Sequence, residues 1–328
     1  LYYTYGFPDE LTCTIAKESG VEIDEKGFEH LLNEQRQRAK ASSKLSDVIF
    51  AASEINQELV KLPETKFLGY ETFEAQGKIV WCNLAKNSGA IVLDQTPFYP
   101  EGGGQVGDAG ILEGKKFEFQ VRDTRKKERV IVHYGELTKG EMKAGDACRA
   151  KINKDLREAT KRNHTATHLL QAALRTVLGS HIRQIGSLVN PEKLRFDFTH
   201  GKALSPKEIE EVERWVNETV LEDIGVQARI QSYEQAIKEG TLAFFGDKYG
   251  DQVRTIDVPG RSKELCGGTH CHQTGEIGAF VITSETSIGS GVRRIEAITG
   301  MNAVRYAKEL ERKVNLIATA LKVNPNQV

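Results

Sequence analysis

The feature that most constrains the fold is a series of short β-patterned runs between residues 64 and 153. The runs are regularly spaced and are separated by glycines and an Asn-Ser-Gly turn, as strands of a small β-domain are. They cover residues 67–74, 78–84, 90–95, 117–123, 130–134 and 147–152. Short strands punctuated in this way are typical of a small barrel or sandwich, so we expect a β-barrel domain at 64–153 that includes a glycine-rich loop.

Helical patterns flank this β-patterned region on both sides. Residues 1–63 read as helical until Pro63, where the pattern changes. Beyond the β-patterned region, residues 155–178 carry an apolar stripe of helical period that ends at Gly179. Residues 205–208, Ser-Pro-Lys-Glu, form a capping box with proline at the first helical position and predict a second helix.

Further strand patterns alternate with these two helices, at residues 194–198, 226–231, 253–258, 279–284 and 292–299. Helices that alternate with strands predict a two-layer α+β domain, and a charged helical pattern follows from residue 302. The expected fold class is therefore α+β. Its expected parts are an N-terminal helical segment (1–63), a small β-barrel domain (64–153), a two-layer α+β domain (154–300) and the start of a C-terminal helical region (301–328).

Composition narrows the class of protein. Charged residues make up 28% of the chain but leave a formal net charge of −1, so nucleic-acid binding would need local basic patches. Five cysteines at irregular spacing and the lack of a leader pattern indicate a reducing, cytoplasmic setting. No apolar run approaches a membrane span, so no membrane partner is expected. A start at Leu1 and a polar helical end suggest a piece of a longer protein.

Two histidines on the first of these helices are candidate metal ligands. His164 and His168 are four residues apart and so lie one above the other on one helix face. That face is well over 100° from the apolar stripe and carries Arg157, Lys161 and Arg175. Two exposed histidines on a solvated face are the alternative, because so short a pattern is common by chance.

A second motif, Cys266-Gly267-Gly268-Thr269-His270, supplies a thiol and an imidazole. Its two glycines permit a tight backbone path that brings both ligands to one point. The nitrogen and sulfur donors together match the preferences of Zn²⁺, with His272 as a rival for the fourth ligand. Thr165 follows the first histidine where a zinc protease would have glutamate, so a peptidase is not expected. Four protein donors are typical of structural zinc, which leaves the role in chemistry open.

The motifs taken together resemble alanyl-tRNA synthetase over essentially the whole chain. The matching segments are residues 3–8 (YTYGFP), 98–105 (FYPEGGGQ), 163–170 (NHTATHLL), 186–189 (GSLV), 265–270 (LCGGTH) and 292–300 (VRRIEAITG). The resemblance implies that residues 1–63 end the tRNA-recognition helices and that 154–300 form the editing domain. The part that attaches alanine to tRNA(Ala) would precede residue 1. The C-terminal region would aid homodimerisation of the full-length protein.

The resemblance also implies site residues and a reaction. His164, His168, Cys266 and His270 would be the zinc ligands, and Gln184 the polar residue of the editing pocket. The glycine-rich loop, a turn or a binding loop on its composition alone, is associated in the family with amino-acid discrimination. Its residues are Gly102, Gly103, Gly104 and Gln105. The expected substrate is tRNA(Ala) mischarged with serine or glycine, whose aminoacyl ester would be hydrolysed, since a small pocket rejects serine poorly.

Four further residues are candidate site residues that the resemblance does not name. Thr165 and Thr167 are hypothesised to read the substrate hydroxyl beside Gln184, while zinc positions the nucleotide or polarises the ester. Lys161 and Arg293 are expected to contact phosphate.

Three alternatives remain. A free-standing editing protein would carry the same metal motifs but not the helices of residues 1–63. The editing domain of threonyl-tRNA synthetase is similar, but the glycine-rich loop fits it poorly. A non-catalytic RNA-binding module with a structural zinc belongs to a different functional class.

Overall fold

The fold is taken from a computed structural model, which describes residues 58–243 and 250–327 together with positions 24 and 27. The predicted N-terminal helical segment lies outside these residues, apart from a final helical turn at 58–60. The described residues form two compact units. The first comprises residues up to Pro100 together with Ala109–Ile152, and the second comprises Glu101–Asp108 together with the chain from Asn153 onward. The glycine-rich loop, expected within the β-barrel domain, therefore groups with the second unit.

The first unit is a closed six-stranded barrel, as predicted, with the strand order β2-β3-β7-β6-β5-β8. The strands of this unit are β1 (Lys66–Phe67), β2 (Glu74–Ala85), β3 (Ser88–Leu93), β4 (Gln95–Thr96), β5 (Gly110–Gly114), β6 (Phe117–Lys127), β7 (Val130–Gly140) and β8 (Ala147–Ile152). Period-2 alternation is clearest in β8, where Cys148, Ala150 and Ile152 are buried and the residues between them are exposed. These side chains join the apolar core inside the barrel with Phe98 and Phe119.

One predicted strand of the barrel is wrong. Residues 67–74 do not form a single strand, because the backbone turns after Leu68, whose carbonyl accepts hydrogen bonds from the amides of Glu71 and Thr72. Gly69 allows this turn, since a Cβ there would lie 2.1 Å from the carbonyl oxygen of Pro97. Strand β5 was not predicted, because its five residues carry two glycines and too little alternation.

A buried histidine organises one side of the barrel. His133 is fully buried, its Nδ1 lies 3.1 Å from the carbonyl oxygen of Ile91, and its Nε2 lies 2.8 Å from Oγ1 of Thr96. The carbonyl can only accept, so Nδ1 carries the proton and Nε2 accepts from the threonine hydroxyl. Burial lowers the pKa of His133 to about 4, which keeps the ring neutral.

The second unit is the predicted α+β layer domain. Its strands are β9 (Gln184–Val189), β10 (Leu194–Thr199), β11 (Gln227–Ser232), β12 (Gln252–Val258), β13 (Ser262–Leu265), β14 (Phe280–Gly289) and β15 (Val292–Thr299). Its helices are α1 (Lys154–Leu178), α2 (Pro206–Leu221), α3 (Tyr233–Lys238) and α4 (Gly300–Leu321). One sheet has the order β14-β15-β10-β9 and the other the order β11-β12-β13. Leu170, Phe196, Val216, Phe280 and Ile295 are among the residues of a core shared by α1, α2 and the first sheet.

Helix α1 is close to its predicted bounds. The side chain of Asn153 accepts a hydrogen bond from the amide of Leu156 at the start, and Gly179 ends the helix at a φ of 115°. Leu156, an apolar residue in the first turn of the helix, is exposed. The helix side that carries His164 and His168 was expected to be polar and separate from the apolar stripe. It is buried, as the apolar residues Leu169 and Leu170 are. Helix α1 is therefore covered on more than its apolar face.

None of the helices in the described part of the chain is both long enough and apolar enough to span a membrane.

Candidate metal centre

Four side chains from two distant segments converge in the second unit. One potential ligand atom from each of His164, His168, Cys266 and His270 lies within 4.8 Å of all the others. The three histidines are buried and the cysteine is half-buried. The sequence predicted this set, and the second motif is brought to α1 by strand β13, which ends at Leu265.

The Gly267-Gly268 turn places Cys266 and His270 against α1. A Cβ atom on Gly268 would lie 2.0 Å from Cε1 and 2.4 Å from Nδ1 of His164, so only glycine fits there. Arg254 braces the turn, because its Nη1 donates to the carbonyl oxygens of Cys266 (3.0 Å) and Gly268 (2.8 Å). The turn is thus fixed by a close approach on one side and by a guanidinium on the other.

Each histidine of the cluster has a partner for its Nδ1 atom. Nδ1 of His164 lies 2.7 Å from Oε1 of Gln105, and Nδ1 of His168 pairs with a carboxylate oxygen of Glu264. Nδ1 of His270 lies 3.3 Å from Oγ1 of Thr165.

Hydrogen-bond chemistry fixes the tautomer of all three rings. The Gln105 oxygen and the Glu264 carboxylate can only accept. The Thr165 hydroxyl donates to the carbonyl of Lys161 (2.9 Å), so towards His270 it accepts. Nδ1 therefore carries a proton in each ring, so that in the neutral ring the lone pair of Nε2 is free to bind a metal ion.

The Nε2 atoms face the cluster. Those of His164 and His270 lie 3.4 and 3.3 Å from Sγ of Cys266. Nε2 of His168 is buried and has no hydrogen-bond partner among the described residues. A buried nitrogen without a partner is costly in a protein interior, and a metal ion would satisfy it.

The charges of the cluster favour a cation. Burial opposes ionisation of Cys266, but His164, His270 and His168 hold its pKa well below the usual range. Burial also disfavours a charge on His168, yet Glu264 and Cys266 outweigh it and raise the pKa to about 10. Burial lowers the pKa of His270 to about 3. Metal binding would displace the second proton of His168, and a thiolate with neutral imidazole nitrogens is the donor set that Zn²⁺ prefers, so the residues present fit zinc.

The structure separates the two histidines that competed for the fourth position. His270 lies in the cluster, whereas His272 is exposed and its backbone amide donates to Glu276.

The predicted hydroxyl readers lie on α1 with their hydroxyls engaged. Thr165 is fully buried, and besides its bond to Lys161 its oxygen accepts from the amide of Cys271 at 3.0 Å. Thr167 is buried and donates to the carbonyl of Asn163 at 2.8 Å. These contacts favour a role in holding the helix and His270 over direct contact with a substrate.

Gln184 and the glycine-rich loop lie at opposite ends of strand β9. Gln184, half-buried, is the first residue of β9, and the loop pairs with the other end of that strand. The amide of Val189 donates to the carbonyl of Gly104 at 2.7 Å, and a Cβ on Gly104 would lie 2.2 Å from Oγ of Ser187. Gly104 has a φ of 84°, which also favours glycine. Gly102 and Gly103 lie in the turn, with Gly103 exposed.

The two predicted phosphate ligands are ion-paired. Lys161 is buried and its Nζ lies 3.0 Å from a carboxylate oxygen of Glu158. Nη2 of Arg293 lies 2.7 Å from Glu285, and both side chains are largely buried. A phosphate would have to compete with these carboxylates.

Sequence reasoning missed the partners that hold the metal ligands. Glu264 is buried on β13, a strand without a clear sequence pattern, and no motif includes Arg254. Gln105 was assigned to substrate contact, but it is fully buried. Local spacing does not signal these contacts, because Glu264 and Gln105 lie 96 and 59 residues from the histidines that they hold.

The comparisons with known proteins agree with the geometry. Residues 1–156 match the family model of class II (A) tRNA synthetases, and residues 253–296 match that of the threonyl and alanyl tRNA synthetase second additional domain. Over its full length the chain is 45% identical to the alanine–tRNA ligase of Halorhodospira halophila, 46% to that of Burkholderia thailandensis and 47% to that of Thermotoga petrophila. It spans 38 to 39% of the length of these relatives.

The barrel, the histidine and cysteine cluster and the two family models together define a part of an aminoacyl-tRNA synthetase. The second model covers the Cys266–His270 motif of the cluster. The chain belongs to the alanyl-tRNA synthetase family.

Proposed function

We propose that this chain is the editing part of an alanyl-tRNA synthetase, and that it hydrolyses the aminoacyl ester of tRNA(Ala) mischarged with serine or glycine. Serine differs from alanine by one hydroxyl and glycine is smaller than alanine, so a pocket for alanine rejects them poorly. A second, hydrolytic site is the physical remedy. The parent enzyme would attach alanine to the same tRNA, and its C-terminal region would support a homodimer.

One observation supports this proposal above the others. The three histidines and Cys266 are held by outer partners with their ligand atoms towards one point, and Cys266 and His270 lie in the segment that matches the second additional domain of threonyl and alanyl tRNA synthetases. When bound, zinc would supply a fixed positive charge beside the ester. Four protein donors fill a tetrahedral zinc, so we expect the ion to fix the site and position the substrate.

Other residues would then recognise the amino acid. The amide of Gln184 can both donate and accept, and it lies on the strand that pairs with the glycine-rich loop. We propose Gln184 as the reader of the serine hydroxyl. Thr165 and Thr167, whose hydroxyls are engaged within α1, would act by holding that helix and His270.

The test is ester loss under multiple turnover. The chain is incubated with an excess of Ser-tRNA(Ala), Gly-tRNA(Ala) or Ala-tRNA(Ala), and the remaining ester is counted over time. We expect the first two to be hydrolysed much faster than the third. Equal rates for all three, at the level without protein, would refute the proposal.

A second function is favoured by the four-donor set itself, because closed zinc sites are usually structural. In that case the chain would be a non-catalytic RNA-binding module. Stoichiometric binding of tRNA without turnover in the same assay would identify it.

A further inference from the structure

The glycine-rich loop carries one residue that cannot meet a substrate directly. Gln105 is fully buried, although the loop around it includes the exposed Gly103. Its amide makes three hydrogen bonds with two other segments. Oε1 accepts from the backbone amide of Thr269 (2.9 Å) and lies 2.7 Å from Nδ1 of His164, and Nε2 donates to Oγ1 of Thr269 (2.9 Å).

These bonds involve both halves of the candidate metal centre. His164 belongs to the helix motif, while Thr269 lies between the two ligands of the Cys-Gly-Gly-Thr-His turn. The oxygen of this amide has both acceptor positions occupied, and one of the two N–H groups of its nitrogen donates to Thr269. A substrate hydroxyl that donates to this oxygen would have to break one of these buried bonds.

The residues of the loop on both sides of Gln105 are also held in place, by an ion pair and by backbone hydrogen bonds. Asp108 forms a buried ion pair with Arg157 of α1, and both residues are almost inaccessible. On the other side, Gly104 and Val106 pair with Val189 of β9. The position of the Gln105 amide therefore follows the position of the whole loop.

We propose that Gln105 is a positioning residue of the metal centre, which fixes the Nδ1–H tautomer of His164 and couples the glycine-rich loop to metal affinity. Histidine ligands commonly depend on such an acceptor for orientation and basicity. Coupling of this kind is reciprocal, so the ion also stabilises the loop. A consequence for editing rests on the proposed function, whereas the effect on the metal does not.

Variants of the full chain test this inference. Gln105→Met keeps the length of the side chain but removes the acceptor, whereas Gln105→Glu keeps the acceptor for His164 and the Thr269 amide. Asn217→Leu is a matched control, because Asn217 also accepts from a backbone amide, that of Phe280 (2.9 Å), in the same unit. Zinc affinity is measured by competition with a chelator under conditions where circular dichroism shows each variant to be folded.

We expect Gln105→Met to weaken zinc binding about 10- to 100-fold, the usual effect of losing an outer partner. Gln105→Glu and Asn217→Leu should bind zinc as the unmodified chain does. Wild-type affinity in Gln105→Met, or an equal loss in Gln105→Glu, would overturn the proposal.

A measurement on the unmodified chain covers the case in which Gln105→Met does not fold. Long-range ¹⁵N NMR of the zinc-loaded protein should show His164 bound through Nε2, with a slowly exchanging proton on Nδ1. Binding through Nδ1 would overturn the proposal. Zinc binding that depends on Gln105 in a chain that leaves Ser-tRNA(Ala) intact would refute the proposed function alone.

Discussion

Gly268→Ala should disable the metal centre, whereas the same change at the neighbouring Gly267 should not. The added Cβ at Gly268 would lie 2.0 Å from Cε1 of His164 and 2.9 Å from Oε1 of Gln105. Ordinary contact begins at 3.4 Å, so the imidazole has to withdraw by about 1.4 Å. A Cβ on Gly267 would meet nothing within 4 Å.

The size of that displacement decides the outcome. Zinc sites hold their ligand distances to within about 0.2 Å, so His164 cannot remain a ligand after a shift of this size. We expect the zinc affinity of Gly268→Ala to fall by more than the roughly 10- to 100-fold loss typical of an outer partner. Forcing a methyl group into this packed site should also cost about 1–3 kcal/mol in the free energy of unfolding.

The assay is chelator competition with zinc, together with the optical spectrum of the Co²⁺-loaded protein. Gly267→Ala should keep both the affinity and the spectrum of the unmodified chain. If Gly268→Ala binds zinc as tightly as Gly267→Ala does, the described position of His164 against the turn is wrong.

Three further outcomes follow from buried groups. The pKa of His133 is about 4 in the folded barrel and near 6.5 in the unfolded chain. Protonation of this group therefore leaves the free energy of unfolding unchanged above about pH 6.5 and lowers it by roughly 3 kcal/mol as the pH falls towards 4. Denaturant titrations of His133→Gln should lack this contribution, and an unchanged pH profile would contradict it. Asp108→Ala leaves Arg157 buried without its carboxylate and should cost about 3–5 kcal/mol in urea unfolding, where a loss below 1 kcal/mol would contradict the buried pair. Glu285→Gln should free Arg293 and steepen the salt dependence of tRNA binding by about 0.7–0.9 in the log–log slope, and an unchanged slope would mean that Arg293 does not contact phosphate.

Much of the fold could be predicted from local sequence patterns. The strand β8 and the helix α1 were predictable because alternation and helical period extend over the whole element and are followed by clear stops. The turn at Gly69 was not, because residues 67–74 look like a strand until the carbonyl of Pro97 is known to lie against them. Tertiary contacts override local preference at such positions.

The metal ligands were predictable for a similar reason. Their spacing on a helix and around a Gly-Gly turn is a local pattern, and the structure brings the predicted four together. Glu264 and Gln105 hold His168 and His164 from 96 and 59 residues away, so spacing could not reveal them. The burial of Gln105 likewise depends on where the loop folds.

The most direct test of the central claim compares metal content and serine removal in the unmodified chain and in Cys266→Ala. The purified chain is analysed for bound zinc, and the initial rate of ester loss from Ser-tRNA(Ala) is measured for both proteins. We predict about one zinc per unmodified chain, and for Cys266→Ala the loss of both the metal and the Ser-tRNA(Ala) hydrolysis. Unchanged hydrolysis by a Cys266→Ala protein that has lost its zinc would contradict the claim that this centre serves the editing reaction.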